Sequence, residues 1–221
     1  MRLKRIFMKQ VLWSLLFVSC GLFTAKINAE DQQLWVSANK KLFKEQSITG
    51  TFYAETRSKN GIRDLSGIFA GPKLSYQLNE RVKLATAAKY IRVYKENDYD
   101  QLQRLELEAS YSSIRKSNGW RFGARNRIEI IDKDNKVDGH SYHRYRIRVS
   151  ADKDISFAHI KRFHIRQEWI LDEDYQLTEY RLVPFAFTLK DALMGAQVSY
   201  LLRRKSKTGE YSHVLGLAWQ F

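Results

Sequence analysis

From residue 30 onward, apolar and polar residues alternate over segments of about 10–15 residues, and short polar stretches separate the segments. The alternation predicts strands near 33–42, 47–57, 65–78, 81–95, 99–115, 119–132, 141–153, 160–171, 176–189, 192–204 and 210–221. The breaks include "RSKNGIRD", "QLNER", "YKENDYD", "RKSNG", "DKDNKVDGH", "LDEDY", "TLKDA" and "RKSKTGE", which are rich in the Asn, Asp, Gly and Lys that turns favour. No helical period appears after Ala29. The expected class is therefore all-β.

Segment length narrows the class. Strands of soluble sheets average ~5–6 residues, whereas a tilted strand crossing a bilayer needs ~9–11. Long alternating segments repeated about ten times predict a single antiparallel, up-and-down transmembrane β-barrel. A lipocalin-like soluble barrel is the other architecture with long strands.

The two faces differ in kind. In "SYHRYRIRVS", Arg144, Arg146 and Arg148 alternate with Tyr145, Ile147 and Val149. In "RLELEASY", Arg104, Glu106 and Glu108 oppose Leu105, Leu107, Ala109 and Tyr111. In "GWRFGARNRIEI", Arg121, Arg125, Arg127 and Glu129 oppose Trp120, Phe122, Ala124, Ile128 and Ile130. In "KRFHIRQEWIL", Arg162, His164, Arg166 and Glu168 oppose Phe163, Ile165, Trp169 and Leu171. Glu55 with Arg57 and Glu179 with Arg181 extend the charged face. Arg rather than Lys dominates that face, and the guanidinium fork suits pairing with carboxylates. Cross-strand neighbours would bring acids and arginines together. These residues are expected to face the lumen as a charge network for binding or selectivity, with the apolar face turned to lipid.

The last segment, "YSHVLGLAWQF", puts Tyr211, His213, Leu215, Leu217, Trp219 and Phe221 on one face. A closing strand of alternating apolar residues with a terminal aromatic resembles the assembly signal of bacterial outer-membrane barrels. If Phe221 ends in the periplasm, "FTLKDAL" and "YQLNERVKL" become periplasmic turns and "DKDNKVDGH" an outer loop. Bacterial single-chain barrels carry an even number of strands. The expectation is therefore ten strands, with residues 33–42 not a full strand, or twelve, with a turn hidden in a long segment.

Charge changes the picture once the first residues are set apart. The 221-residue chain has a formal charge of +14, which alone would suggest nucleic acid. "MRLKRIFMKQ" followed by "VLWSLLFVSCGLF" and "TAKINA" instead has the form of a secretory signal. The apolar run is too short for a membrane helix, which needs ~20 residues. The expected domains are a signal peptide at 1–29, cleaved near Ala29, and a barrel at 30–221. Without residues 1–29 the chain holds 33 basic and 24 acidic residues, a balance of +9. An exported chain does not meet genomic DNA. Expected partners are outer-membrane lipids, lipopolysaccharide and the barrel assembly machinery, not nucleic acid. Cys20 is the only cysteine and lies within the signal, so the exported part has no disulfide. Lipidation at Cys20 is the alternative fate of that segment.

With the segments placed, the chain resembles the family catalogued as domain of unknown function 2490, predicted outer-membrane barrels of Gram-negative bacteria. The resemblance rests on "LWVSANKKL", "GWRFGARNRIEI", "YHRYRIRVS", "IRQEWIL", "TEYRLVPFAF" and "HVLGLAWQF", and covers nearly all of the chain after residue 29. It implies the fold and the outer-membrane location. It brings no activity, and therefore no catalytic residues.

Candidate chemistry is sparse. Lipid hydrolysis would need Ser and His with a polar orienter. His140, His143, His159, His164 and His213 are available, with Ser141, Ser156 and Ser212 nearby in sequence. No Gly-x-Ser-x-Gly elbow occurs. Ser212 and His213 are adjacent on a strand and point to opposite faces. Asp132, Asp134 and Asp138 miss the calcium-loop spacing, and no cofactor motif is present. Ten or twelve strands leave little room beyond the side chains. The expected role is structural or interaction-based, or that of a narrow anion-preferring channel. A lipid-modifying enzyme is the alternative, and a periplasmic lipid-binding barrel is the third reading.

Overall fold

The computed structural model describes residues 31–60, 63–95, 98–133, 141–157, 159–189 and 196–221. Residues 31–221 form one compact unit. The strands are β1 (Asp31–Glu45), β2 (Ile48–Lys59), β3 (Asp64–Gln77), β4 (Val82–Tyr94), β5 (Tyr99–Ser112) and β6 (Trp120–Lys133). They continue with β7 (Ser141–Phe157), β8 (Ile160–Leu171), β9 (Leu177–Leu189), β10 (Gln197–Lys205) and β11 (Tyr211–Gln220). Each pairs antiparallel with its successor, and β1 closes the barrel on β11.

The strand count corrects the expectation of ten or twelve. Residues 33–42 lie inside a full strand, so eleven strands form the wall. An even count goes with an antiparallel closing pair. With an odd count the first and last strands run the same way, and Asp31–Asn39 closes against Ser212–Gln220 in parallel. The backbone at the rim is satisfied across this seam. Lys41 N donates to Phe221 O (2.9 Å), and Phe221 N donates to Asn39 O (2.8 Å). No free sheet edge remains in the closed wall.

Two irregularities have local causes. The register of β9 shifts against β8 between His164 and Arg166, and against β10 between Tyr200 and Leu202. Pro184 sits in that stretch, where a residue without an N–H is tolerated at a bulge. The shift turns Ala186, fully buried, to the interior where strict alternation from Val183 would have placed Phe185. In β3, the ladder to β4 skips Gly71 and Pro72. A Cβ on Gly71 would stand 1.9 Å from the Ala88 carbonyl oxygen, so the two strands approach more closely there than any side chain permits.

The two faces of the wall carry opposite chemistry. Leu105, Leu107, Ile128, Ile147 and Val149 point outward and are 41–46 % exposed. Facing inward on β5, β6 and β8, Glu106, Glu129 and Glu168 are 2 %, 0 % and 3 % exposed. Outward aromatics gather toward both rims. Trp120, Phe122, Phe163, Phe187 and Trp219 lie toward the rim where β11 ends, here the Phe221 rim. Tyr90, Tyr99, Tyr145, Trp169, Tyr180 and Tyr211 lie toward the other, the Asp31 rim.

Candidate functional site

The interior of the barrel is a layered ion-pair network. On β5 to β8 the inward positions fall on Arg104, Glu106 and Glu108; Arg125, Arg127 and Glu129; Arg144, Arg146 and Arg148; and Arg166 and Glu168. Their register mixes opposite and like charges. Glu108 faces Arg127, Glu129 faces Arg144 and Arg148 faces Glu168, and each of these is an ion pair. Glu106 faces Glu129, Arg127 faces Arg146, and Arg125 faces Arg148. Like charges directly opposite destabilise a sheet, and these residues also pair diagonally or along their own strand. Glu106 meets Lys89 (2.9 Å), Arg104 (2.8 Å) and Arg127 (3.1 Å). Glu108 meets Arg127 (2.7 Å), Lys73 (3.0 Å) and Arg125 (3.5 Å).

Two glutamates hold the centre. Glu129 takes Arg144 (2.5 Å), Arg146 (2.7 Å), Arg127 (3.3 Å) and Arg104 (3.7 Å). Glu168 takes Arg146 (2.7 Å), Arg125 (2.8 Å), Arg148 (3.0 Å) and Arg181 (3.6 Å). Arg146 bridges the two, donating through Nη1 to Glu129 and through Nη2 to Glu168. Such forked, charge-assisted bonds are geometrically demanding. Removing one partner leaves an uncompensated buried charge.

The other positions singled out in the sequence occupy the flanks. Glu179 pairs with Arg181 on its own strand and with Arg203 at 2.7 Å. Glu55 accepts Arg57 Nε (2.6 Å) and the Tyr53 hydroxyl. The Arg57 guanidinium lies 3.9 Å from the Trp35 ring centroid and 4.1 Å from that of Phe69, a cation–π sandwich. Nearer the Phe221 rim, Arg121 pairs with Asp152 (2.8 Å) and Arg162 with Asp154 (2.7 Å). His164 is bound at both ring nitrogens, Nδ1 by Asp152 Oδ1 (2.6 Å) and Nε2 by Thr188 Oγ1 (2.7 Å). On β11, Tyr211, His213, Leu215, Leu217 and Trp219 alternate outward, and Phe221 follows them at the rim, 58 % exposed. Ser212 points inward and is buried, so Ser212 and His213 stand on opposite faces. His213 Nδ1 bonds the Tyr200 hydroxyl on the outward face.

A cavity of about 620 Å³ opens into the network from the Phe221 rim. Lys83, Arg121, Asp152, Gln197 and Gln220 line its mouth, and Arg125, Arg148, Arg166 and Glu168 lie deeper. Its floor is the ion-pair layer itself, including Arg104, Arg146 and Arg181. Beyond that floor, toward the Asp31 rim, Ile131 (2 %), Ile170 (1 %) and Val214 (1 %) are nearly inaccessible. These three inward side chains lie on the Asp31 side of the ion-pair layer.

Lys73, Lys89, Asp152, Thr188 and Arg203 are part of this interior and were not singled out in the sequence. Lys73 and Lys89 alternate with apolar or small neighbours, as their arginine counterparts do, whereas Asp152 lies between Ala151 and Lys153. Thr188 and Arg203 lie next to strand irregularities or mixed patterns that hide their side. Among the described residues no group of three or more His, Cys, Asp or Glu is placed to hold a metal ion. Cys20, Ala29, Asp134, Asp138, His140 and the Ser156 side chain lie outside the described residues. No protein-family model matches the chain, and no curated protein is significantly similar to it.

Proposed function

We propose that the chain is an exported, membrane-spanning barrel of the Gram-negative outer membrane whose lumen is a plug with a one-sided vestibule. The observation that carries the reading is the inversion of the wall: Ile128 is 41 % exposed outside while the neighbouring inward Glu129 is 0 % exposed. In water an apolar belt around a whole barrel would invite association. In a bilayer it is the required solvent-facing surface, and aromatic girdles near both rims fit the two interfaces. The basic-then-apolar start of the chain, the aromatic end of β11 and the resemblance to the uncharacterised outer-membrane barrel family support the same reading. It brings lipid, lipopolysaccharide and the barrel assembly machinery as partners. The ion-pair layer that floors the cavity favours a structural or binding role over a narrow anion-preferring channel. The charged lumen disfavours a carrier for apolar lipid, which needs an apolar cavity.

Export and refolding test this directly. The chain after residue 29, refolded in detergent, migrates faster unheated than boiled and precipitates when detergent is removed. In planar bilayers it gives no steady conductance, and the combined Arg144→Ala, Arg146→Ala, Arg148→Ala variant leaks. A chain that is monodisperse without detergent sinks the membrane reading, and steady wild-type conductance sinks the plug.

One observation favours a second reading. The carboxylate–imidazole–hydroxyl order of Asp152, His164 and Thr188 is that of a hydrolytic triad. On this reading Thr188 Oγ1 attacks an ester carbonyl as His164 Nε2 takes its proton, and the ester C–O bond breaks as the alcohol leaves with that proton. Water activated by His164 then hydrolyses the acyl-threonine to release the acid and restore the hydroxyl. Ester hydrolysis by the wild type, abolished in Thr188→Val, supports it; no hydrolysis above a boiled control removes it.

A further inference from the structure

We propose that the cavity at the Phe221 rim binds a small anionic sugar, a saccharide of one or two rings carrying a phosphate or carboxylate. The inference rests on the plugged-lumen reading and adds its ligand. It begins with charge. Six glutamates, Glu55, Glu106, Glu108, Glu129, Glu168 and Glu179, share eleven basic partners. Burying cations in such excess is costly unless something anionic compensates them.

The excess faces the cavity. Glu168 alone anchors four arginines, of which Arg148 keeps the most accessible side chain, 28 % against 16 % for Arg125 and 8 % for Arg146 and Arg181. Arg125 Nε is buried and has no hydrogen-bond partner among the described residues. Arg166 lines the same cavity, meets Gln197 Oε1 at 3.3 Å, and makes no ion pair among the described residues. Lys83, on the same wall, also makes none among the described residues. Arg125, Arg148 and Arg166 thus form a cluster of planar forks, the geometry suited to phosphate and carboxylate.

The remainder of the wall selects the body of the ligand. Ser110, Ser112, Ser150, Ser199, Gln197 and Gln220 line the cavity with uncharged hydroxyl and amide groups. These both donate and accept, as sugar hydroxyls require. Trp35, Val183, Leu201 and Leu217 also line the cavity, but charged and hydrogen-bonding side chains outnumber them, which favours a sugar over an acyl chain. A volume of about 620 Å³ falls within the range of small-molecule cavities, and exceeds the need of a lone inorganic ion.

The test is a calorimetric titration of the refolded chain in micelles with glucose 6-phosphate, glucuronate, glucose and inorganic phosphate. Both anionic sugars are expected to bind saturably with one site and to weaken as sodium chloride is raised, while glucose gives no heat. Arg166→Gln and Lys83→Gln each weaken binding by about tenfold, the worth of one charge-assisted contact. Neither substitution strips an ion pair from a described glutamate, so both variants keep the heat-modifiable mobility of the wild type. Absence of saturable binding, or binding unchanged in both variants, overturns the proposal. Inorganic phosphate binding as tightly as glucose 6-phosphate overturns the sugar assignment. A folded, non-conducting barrel that binds neither anionic sugar sinks this inference alone, whereas steady conductance in the same preparation sinks the plugged-lumen reading beneath it.

Discussion

The lumen has two unlike sectors. The inward faces of β5 to β8 are packed with long charged side chains, whereas those of β10 and β11 carry Ser199, Leu201, Ser212, Val214, Gly216 and Ala218. An eleven-strand wall is too wide for small side chains to meet across it. Arg166, rooted on β8, reaches Gln197 on β10 at 3.3 Å. One sector is held by directed ion pairs; the other, Arg203 paired to Glu179 aside, is held by contact and shape. The difference lies in how each answers to substitution and to salt.

The largest effect is expected at Glu168. Glu168→Ala leaves four arginines without their shared carboxylate, and the loss of unfolding free energy is ~3–5 kcal/mol, read from denaturant unfolding in micelles. Removing Arg146 as well should restore part of it, because fewer charges are then stranded. Val214→Ala probes the other sector. Val214 is 1 % exposed, and its truncation costs about 1–2 kcal/mol through lost contact and cavity formation. That loss is expected to be equal in low and high salt. A salt-dependent loss at Val214 would mean that the sectors do not divide as described.

Ser199→Ala removes a long hydrogen bond to the Gly216 carbonyl oxygen (3.4 Å), and a change within about 0.5 kcal/mol is expected. The smallest effect belongs to the turn between β10 and β11. The hydrogen bond from Lys205 (2.8 Å) holds the Glu210 carboxyl below its usual range. A depressed carboxyl contributes stability above its unfolded pKa and loses it as pH falls through the folded value. Glu210→Gln should therefore lower the unfolding midpoint slightly at neutral pH and leave it unchanged in acid. A pH series of unfolding midpoints measures this.

Much of the wall was legible because alternation in a strand fixes sides absolutely. Arg144, Arg146 and Arg148 share a side whatever their partners are. Partner choice was legible only in part. Direct cross-strand opposition pairs Glu108 with Arg127, Glu129 with Arg144 and Arg148 with Glu168, whereas Arg125 stands opposite Arg148 and reaches Glu168 two strands away. That outcome depends on register and on arginine length, which no single segment encodes. The bulge at Pro184 exchanges the sides of Phe185 and Ala186, and only the proline itself hinted at it. His164 could be assigned to the charged face, but its link to Thr188 required knowing where β9 slips. The strand count failed for a different reason: the evenness of bacterial barrels is a regularity of that class, and the hydrogen-bond geometry of closure permits a parallel seam.

That seam separates the start of β1 from the end of β11. An even-stranded barrel of this kind brings first and last strand ends to one rim, where a short loop could join them. Here Asp31 lies beside Ser212 while Phe221 lies beyond Asn39, roughly 30 Å away along the wall at ~3.3 Å per residue. A circular permutation would need a bridge of about nine or ten extended residues, running through a filled lumen or over the apolar outside. The barrel is therefore wired in one order only. If it spans a membrane, its wall begins in one compartment and finishes in the other.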